Sequence, residues 1–177
     1  MRKIILIGGD LASGKSTYSY FLRDKFKLGL INKDHLKEIL GDHIITVNRA
    51  ENKNLSVISF ALIKYIIAST KENLIIESNF KKEEMQELAK LTKEISFLSL
   101  KFMGDYEMLH QRFLDRLANR HPVHKSQDFS DIKDFIPVID ELRNVNYIGK
   151  VINVNVSDAQ TCENQTLLQQ IESFLKE

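Results

Sequence analysis

Residues 4–17, IILIGGDLASGKST, constrain the fold more than any other part of the chain. The continuous run KIILIG (residues 3–8) has an apolar centre, residues 4–7, that stops at two glycines, and a small polar loop then leads through Gly14 to Lys15. Such a β-branched run predicts a strand that is buried on both faces of a parallel sheet. A helical pattern begins near Lys15, so the stretch predicts a strand, a glycine-rich turn and a helix in immediate succession.

The rest of the chain alternates in the same way between apolar runs and helical patterns. Four more strands are predicted, at residues 28–32, 73–80, 95–103 and 150–156. Helices are predicted at residues 17–26, 33–41, 54–70, 81–94, 106–120, 136–142 and 165–177. This alternation predicts an α/β fold: a three-layer α/β/α sandwich around a five-stranded parallel sheet, with ligands beyond the carboxyl ends of the strands.

Local patterns add detail to these helices. Asp34 and Gly41 are expected to begin and end the second helix, and Asp105 is expected to cap the helix that follows the fourth strand. The helix at residues 54–70 is apolar enough to be mostly buried. Residues 121–135 have no clean period and are expected to form a mobile loop.

Composition limits the classes of protein that fit. The 177 residues, 43% hydrophobic, predict one domain with a substantial core. With 25 basic and 24 acidic side chains, the net charge does not favour binding to nucleic acid through the overall field. The single cysteine, Cys162, excludes an internal disulfide framework. The absence of a signal peptide or membrane span leads us to expect a cytoplasmic protein.

The glycine-rich turn matches a known pattern. Gly9, four residues and then Gly14-Lys15-Ser16 is the spacing of a P-loop, whose main-chain N–H groups cradle phosphates. We expect Lys15 to reach the β- and γ-phosphates of ATP and Ser16 to ligate Mg²⁺. The expected nucleotide-binding residues are Gly9, Asp10, Leu11, Ala12, Ser13, Gly14, Lys15, Ser16 and Thr17. The alternative is a tight turn that binds nothing.

Two large classes of P-loop protein do not fit. A GTP-binding switch needs a D-x-x-G element, and no glycine in this chain has an aspartate three residues before it. Asn32 to His35 reads NKDH, which has His35 where the guanine-reading aspartate belongs. A ring-forming motor would need a longer chain with a helical lid domain.

The chain resembles the small P-loop kinases, especially the single-domain AAA-domain or zeta-toxin-like group. Relatives of that group include polynucleotide 5′-kinases, chloramphenicol phosphotransferases and kinases of the gluconate or shikimate type. The resemblance covers most of the chain and is carried by the segments GGDLASGKST, INKDHLKE, IIESNF and RFLDRLANRHPVH. It implies one kinase-like domain over residues 1–177, the P-loop NTPase fold and a lid at about residues 110–136.

The resemblance also suggests a catalytic base and residues that bind the acceptor. Asp34 follows the second strand, where the resembling kinases commonly place the residue that accepts the proton of the substrate hydroxyl. Glu77 lies at the tip of a central strand, as a Walker B residue does, and would bind Mg²⁺ or the acceptor together with Asn79. The alternatives are structural: Asp34 and Asn79 as helix caps, and Glu77 as a charge on the rim.

Arg112, Arg116 and Arg120 recur every fourth residue, which predicts one stripe along a helix. By resemblance to arginine-bearing lids, Arg116 and Arg120 would be catalytic and Arg112 would contact the nucleotide. The alternative is a solvated helix face. His121 and His124 lack the further ligands of a zinc site. The segment RHPVH resembles lid segments of the AAA-domain group, which implies a part in phosphate or substrate contact.

The predicted function is transfer of the γ-phosphate of ATP to a hydroxyl of a small molecule. Two alternatives remain: a nucleotide-binding regulator or ATPase without such an acceptor, and a nucleoside or polynucleotide 5′-kinase. The near-neutral charge and the absence of tryptophan argue against a channel for a nucleic acid strand. The sequence identifies neither the acceptor nor the oligomeric state.

Overall fold

The computed structural model describes residues 1–44, 49–124, 129–157 and 164–177, so Cys162 and part of the expected lid lie outside the described residues. Five parallel strands form one sheet in the order β2-β3-β1-β4-β5. They are β1 (Arg2–Gly9), β2 (Gly29–Asn32), β3 (Leu74–Glu77), β4 (Ile95–Met103) and β5 (Lys150–Asn155). The predicted five-stranded parallel sheet is therefore confirmed.

Helices connect the strands. They are α1 (Lys15–Phe26), α2 (Lys33–His43), α3 (Arg49–Ser69), α4 (Lys82–Ala89), α5 (Tyr106–Asp115), α6 (Ile132–Arg143) and α7 (Gln165–Lys176). Two short 3-10 helices, Leu117–Asn119 and Pro122–His124, lie between α5 and α6. None of the helices in the described ranges is long and apolar enough to cross a membrane.

The sheet separates two hydrophobic cores. Ile5 and Ile7 of β1 face a core that α1, α5, α6 and α7 cover, whereas Ile4 and Leu6 face the core under α3 and α4. All four side chains are fully buried. This alternation on one strand, with helices on both sides, confirms the predicted α/β/α sandwich.

The carboxyl end of β1 is fixed from both neighbouring strands. The N–H of Asp10 donates to the carbonyl of Phe102 on β4 (2.8 Å), and the N–H of Ser78 after β3 donates to the carbonyl of Ile7 (3.0 Å). Gly9 has a φ of +117°, and a Cβ there would lie 2.1 Å from the Phe102 carbonyl oxygen. Only glycine fits this position, so Gly9 has a packing role in addition to its expected role in binding phosphate.

The structure corrects the predicted caps of α2. Asn32, not Asp34, is the N-cap, because its side-chain oxygen accepts the N–H of His35 at 2.9 Å. Gly41 lies inside the helix, which continues to His43. The prediction for Asp105 is confirmed: its carboxylate accepts the N–H groups of Glu107 and Met108 at the start of α5.

The expectation that the helix at residues 54–70 is mostly buried was wrong. Phe60, Ile63 and Ile67 of α3 are buried, but Tyr65 is 70% exposed and Val57 64% exposed. The helix covers only one face of the sheet and has no second layer over it among the described residues. Its apolar outer face is therefore solvated in this structure.

The prediction that Arg112, Arg116 and Arg120 form one stripe along a helix was wrong. The helix predicted at residues 106–120 ends at Asp115, so Arg112 lies in α5 while Arg116 and Arg120 flank the first 3-10 helix. Pro122 disfavours helical backbone at His121, the residue before it, so a continuous helix is not expected to pass this point. The expected mobile loop at residues 121–135 contains a 3-10 helix and the start of α6, while residues 125–128 lie outside the described ranges.

Substitution of Gly9 and substitution of Gly14 are expected to lower stability by different amounts. Gly9→Ala forces a Cβ into the Phe102 carbonyl, and we expect it to lower the free energy of unfolding by about 3 kcal/mol or more. Gly14 has a φ of +81°, but a Cβ added there would meet nothing within 4 Å, so Gly14→Ala should cost only about 1–2 kcal/mol. Urea denaturation of both variants measures the difference, and equal losses would contradict the steric argument.

Candidate active site

The loop between β1 and α1 has the backbone of an anion-binding turn. Ala12 and Gly14 both adopt left-handed conformations, with φ of 57° and 81°. Helix α1 begins at Lys15, so its N-terminal N–H groups face the loop. Left-handed residues next to a helix N-terminus direct successive N–H groups toward one point, and this arrangement suits phosphate.

Lys15 is buried within this loop. Its ammonium group donates to the carbonyl of Asp10 and lies 3.3 Å from the Ser13 hydroxyl and 3.4 Å from the carbonyl of Gly9. Burial lowers the pKa of Lys15, while the nearby carboxylates of Glu77, Asp34 and Asp10 oppose this shift. The loop therefore holds one desolvated cation among its own oxygen atoms.

A chain of hydrogen bonds joins three strand and helix ends. The Ser16 hydroxyl on α1 donates to Glu77 Oε1 at 3.2 Å, and the Asn32 side-chain amide donates to Glu77 Oε2. Asn32 also caps α2, so a single side chain connects Glu77 to the start of the helix that carries Asp34. The tips of β2 and β3 and the start of α1 thus meet at one carboxylate.

The environment of Glu77 favours the protonated carboxyl. Burial raises its pKa from 4.5 to about 7, with Asp34 adding to the rise. The positive charge of Lys15 and the hydrogen bonds from Ser16 and Asn32 act in the opposite direction. A nearby cation would therefore stabilise the ionised form of a carboxylate that is otherwise only half ionised near neutral pH.

Asp34 faces the space in front of the loop. Because Asn32 caps α2, the Asp34 carboxylate is not used as a cap, and it makes no hydrogen bond to the described residues. Its charge influences the pKa values of Lys15, Glu77 and Arg120, so it lies close to all three. The alternative that the sequence left open, an N-cap role for Asp34, is therefore wrong.

Arg116 and Arg120 approach the same space from the segment after α5. The positive charge of Arg116 contributes to the lowered pKa of Lys15. The guanidinium of Arg120 lies over the ring of Phe113, 4.7 Å from its centre, and faces the charges of Asp34 and Glu38. Burial lowers the pKa of Arg120, an effect that those two carboxylates oppose.

The two histidines connect this segment to α2. His121 Nε2 lies 2.9 Å from an oxygen of Asp42, and His124 Nε2 lies 3.1 Å from an oxygen of Glu38. Between them, Val123 packs over Gly41, where an added Cβ would lie 3.1 Å from a methyl group of Val123. Burial lowers the pKa of His124, which favours its neutral form.

These groups surround one polar cavity of about 420 Å³. It is lined by Leu11, Ala12, Ser13, Gly14, Lys15, Ser16, Tyr20, Asn32, Asp34, His35, Glu38, Glu77, Asn79, Phe113, Arg116, Asn119, Arg120, His121 and His124. Among the expected site residues in the described ranges, Gly9, Asp10, Thr17 and Arg112 do not line it. Asn79 does, and its side-chain oxygen is buried without a hydrogen-bond partner among the described residues.

The side chain of Asp10 points away from the cavity. Its carboxylate is fully buried and accepts hydrogen bonds from Arg143, the last residue of α6, and from the N–H of Gly104. The expected role of Asp10 in binding nucleotide finds no support in this geometry, because its main-chain N–H also donates to Phe102 and its carbonyl accepts from Lys15. No local sequence pattern indicates the partner of its side chain, since Arg143 lies 133 residues away.

Several residues that hold the site carry little or no signal in the sequence. Asn32 connects Glu77 to α2, and the buried pair of Lys33 and Glu84 fastens the start of α2 to the start of α4. The only signal for Asn32 was its position before a helical pattern, where asparagine caps well. Asn79 is not the cap of α4, because that helix begins after Lys81, whose N–H donates to Glu84 at 3.2 Å.

Comparison with known proteins supports the architecture. No family model matches the chain, and a search of curated proteins found no match. Among solved structures, a provisionally assigned kinase from Chloroflexus aurantiacus superposes with a TM-score of 0.83 at 23% identity, over 98% of both chains. The fold is that of the P-loop kinases.

Two further structures share this fold at lower similarity. Shikimate kinase from Acinetobacter baumannii, solved with shikimate, has a TM-score of 0.62 at 18% identity, over 98% of this chain and 94% of that one. A gluconokinase from Sinorhizobium meliloti has a TM-score of 0.58 at 16% identity, over all of both chains. The predicted resemblance to small P-loop kinases is confirmed at the level of the fold.

Because the pKa of Glu77 is raised, we expect Glu77→Gln to increase stability relative to the parent, and we expect this increase to depend on pH. Unfolded glutamate ionises near 4.5, whereas folded Glu77 keeps its proton up to about 7, so the parent loses stability as the pH rises through this window. The glutamine variant does not titrate there. Its free energy of unfolding relative to the parent should rise by up to about 3 kcal/mol between pH 4.5 and 8.

Urea denaturation in EDTA at about pH 5 and about pH 8 measures this difference. The surface variant Glu87→Gln is a suitable control, since surface ion pairs hold the pKa of Glu87 below its usual value and the advantage should not grow with pH. A constant difference between Glu77→Gln and the parent over this range would contradict the raised pKa.

Proposed function

We propose that this protein is an ATP-dependent phosphotransferase that moves the γ-phosphate of ATP to a hydroxyl group of a small molecule. One observation carries the proposal: a single polar cavity has the phosphate loop on one wall and Asp34, Arg116 and Arg120 on the others. A loop that merely turned the chain would not require a carboxylate and two guanidinium groups in front of it.

The phosphates would bind to the loop of residues 9–17. Its N–H groups and the N-terminus of α1 supply partial positive charge, and Lys15 supplies a full one. Lys15 now donates to oxygens of its own loop, so it would exchange these partners for phosphate oxygens. That exchange costs little desolvation, because the ammonium group is already buried.

The residues around Ser16 fit a magnesium ion. Mg²⁺ prefers one or two protein oxygen ligands together with substrate phosphates and water, and a hydroxyl beside a carboxylate meets that need. Ser16 and Glu77 would hold the ion, directly or through water. When bound, Mg²⁺ would neutralise charge on the β- and γ-phosphates.

Asp34 is the proposed general base. It lies beyond the carboxyl end of β2 without a hydrogen-bond partner among the described residues, and is free to accept a proton from the acceptor. In the transfer step the acceptor oxygen bonds to the γ-phosphorus, the bond to the β-phosphate oxygen breaks, and the acceptor proton passes to Asp34. The unpartnered oxygen of Asn79 could accept a hydrogen bond from a second acceptor hydroxyl.

Arg116 and Arg120 would stabilise negative charge on the transferring phosphoryl group. They lie on the segment that His121 and His124 attach to α2, so this segment could also limit the access of water. The lid function of residues 110–136, the single-domain assignment of residues 1–177 and a cytoplasmic location remain predictions. Arg112 does not line the cavity, so the structure gives no support to the expected contact between Arg112 and the nucleotide.

The acceptor class rests on the size and polarity of the cavity. A volume of about 420 Å³ suits a small molecule beside a triphosphate tail rather than a folded macromolecule. Shikimate kinase and gluconokinase, which share the fold, are named for small hydroxyl-bearing acids. A regulator without an acceptor and a nucleoside or polynucleotide 5′-kinase are the competing functions.

The test is a panel of acceptors with radiolabelled ATP and Mg²⁺: sugars, aminoglycosides, shikimate-like acids, nucleosides and 5′-hydroxyl oligonucleotides. We expect label on one small acceptor, and Asp34→Asn should lower kcat about 10²–10⁴-fold with little change in nucleotide affinity. Transfer to oligonucleotides alone would favour the polynucleotide kinase. ATP hydrolysis that no acceptor stimulates would favour the regulator.

Substitution of Arg112, Arg116 and Arg120 is expected to lower kcat to different extents. Arg120→Met and Arg116→Met should each lower kcat about 10–10³-fold, because each removes a positive charge that faces the cavity. Arg112→Met is the matched comparison from outside the cavity and should have a smaller effect. Steady-state kinetics with the acceptor found in the panel measures all three, and the largest loss at Arg112 would contradict the assignment.

A further inference from the structure

We propose that Arg143 is a positioning residue of the phosphate loop, whose guanidinium neutralises the buried Asp10 carboxylate so that the loop can accept a polyphosphate. This inference rests on the proposed nucleotide site. It adds a residue on α6 to a site that is otherwise built from α1, α2, β3 and the segment after α5.

The contact between the two side chains is close and bidentate. Arg143 Nη2 lies 2.6 Å from Asp10 Oδ2, and Nε lies 3.1 and 3.2 Å from the two carboxylate oxygens. The N–H of Gly104 also donates to Oδ2 at 3.1 Å. Asp10 is fully buried, whereas the side chain of Arg143 is 24% exposed. Both oxygens of a desolvated carboxylate are thereby satisfied.

Neighbouring groups hold Arg143 in place for this contact. Its guanidinium lies over the ring of Tyr106, 4.3 Å from the ring centre, and also donates to the carbonyl of Gly104. The hydroxyl of Tyr106 donates to Asp140, one turn before Arg143 on α6, at 2.6 Å. The guanidinium is thus fixed by residues at the start of α5 and the end of α6.

The location of Asp10 gives this pair a role beyond stability. Asp10 directly follows Gly9, and its carbonyl accepts a hydrogen bond from the Lys15 ammonium. Its carboxylate charge acts on Lys15 through the buried interior. A loop that binds a tetra-anion is a poor place for an uncompensated negative charge, because low polarity strengthens the repulsion.

Arg143 supplies the compensation through hydrogen bonds. Lys15 and Lys101 also interact with Asp10 by charge, but neither donates to its carboxylate: the Lys15 ammonium donates to the Asp10 carbonyl, and the Lys101 ammonium donates to the carbonyls of Arg143 (2.5 Å) and Val145 (3.3 Å). Among the described side chains, only Arg143 donates to the Asp10 carboxylate. Removing Arg143 therefore leaves a buried carboxylate with one main-chain donor, directly behind the phosphate loop.

Because Asp10 and Arg143 carry opposite charges, removing one charge or the other should change Mg·ATP affinity by different amounts. Arg143→Met leaves a negative charge and should weaken Mg·ATP binding about 10-fold or more. Asp10→Asn leaves a positive charge and keeps an acceptor for Gly104, so its affinity should stay within about 3-fold of the parent. The double variant Asp10→Asn with Arg143→Met removes both charges and should recover affinity to about the Asp10→Asn level.

Isothermal titration calorimetry with Mg·ATP on the parent and the three variants measures these affinities. Urea denaturation of each protein measures its stability in parallel. Ile171→Ala is the control for lost stability alone, because it removes a fully buried apolar side chain of α7 that does not line the cavity. It should lower stability without the loss of affinity. If Arg143→Met does not fold, Arg143→Lys keeps the charge without the bidentate geometry and should bind within about 3-fold of the parent.

Two results would overturn the inference. Equal losses of affinity in Asp10→Asn and Arg143→Met, without recovery in the double variant, would reduce the pair to a structural role. A loss of about 10-fold or more in Arg143→Lys would exclude charge compensation. Failure of the parent to bind Mg·ATP would instead overturn the proposed nucleotide site, and the inference with it.

Discussion

The hydrogen bonds that fix the end of β1 are the constraint on which the rest of the site depends. Ile7 and Asp10 are paired to the chain on either side, through Ser78 and Phe102, so the loop leaves the sheet from a rigid point. Gly9 is packed against the Phe102 carbonyl, which leaves the backbone one path into α1. The nearby tips of β2 and β3 then bring Asn32 and Glu77 to the loop.

Two carboxylates buried near this point have different partners. Asp10 receives a full positive charge from Arg143 and is directed away from the cavity. Glu77 receives hydrogen bonds from an amide and a hydroxyl and remains on the cavity wall. The first arrangement keeps a negative charge permanently balanced, whereas the second leaves a carboxylate whose ionisation depends on its neighbours.

The order of strands and helices could be predicted because it depends on local patterns: buried strands give continuous apolar runs, and Asp105 caps α5 as its position suggests. The turn between β1 and α1 was equally visible, because its glycines and Lys15 are close together in the sequence. Asn32 and Asp34 are both good caps and lie two residues apart, so propensity could not choose between them. The pairing of Arg143 with Asp10 could not be predicted, because it depends on how α6 packs on the sheet. The exposed face of α3 was missed for a related reason: apolar content alone does not show whether a second layer covers a helix.

Gly41 shows how a position without chemistry can shape the site. Val123 belongs to the segment that bears Arg120, and it packs over Gly41 where that segment meets α2. A methyl group at this position would separate the two by a few tenths of an ångström. Substitution at residue 41 is therefore a means of adjusting the width of the cavity between α2 and the segment after α5, in evolution or by engineering, while every charged group stays unchanged.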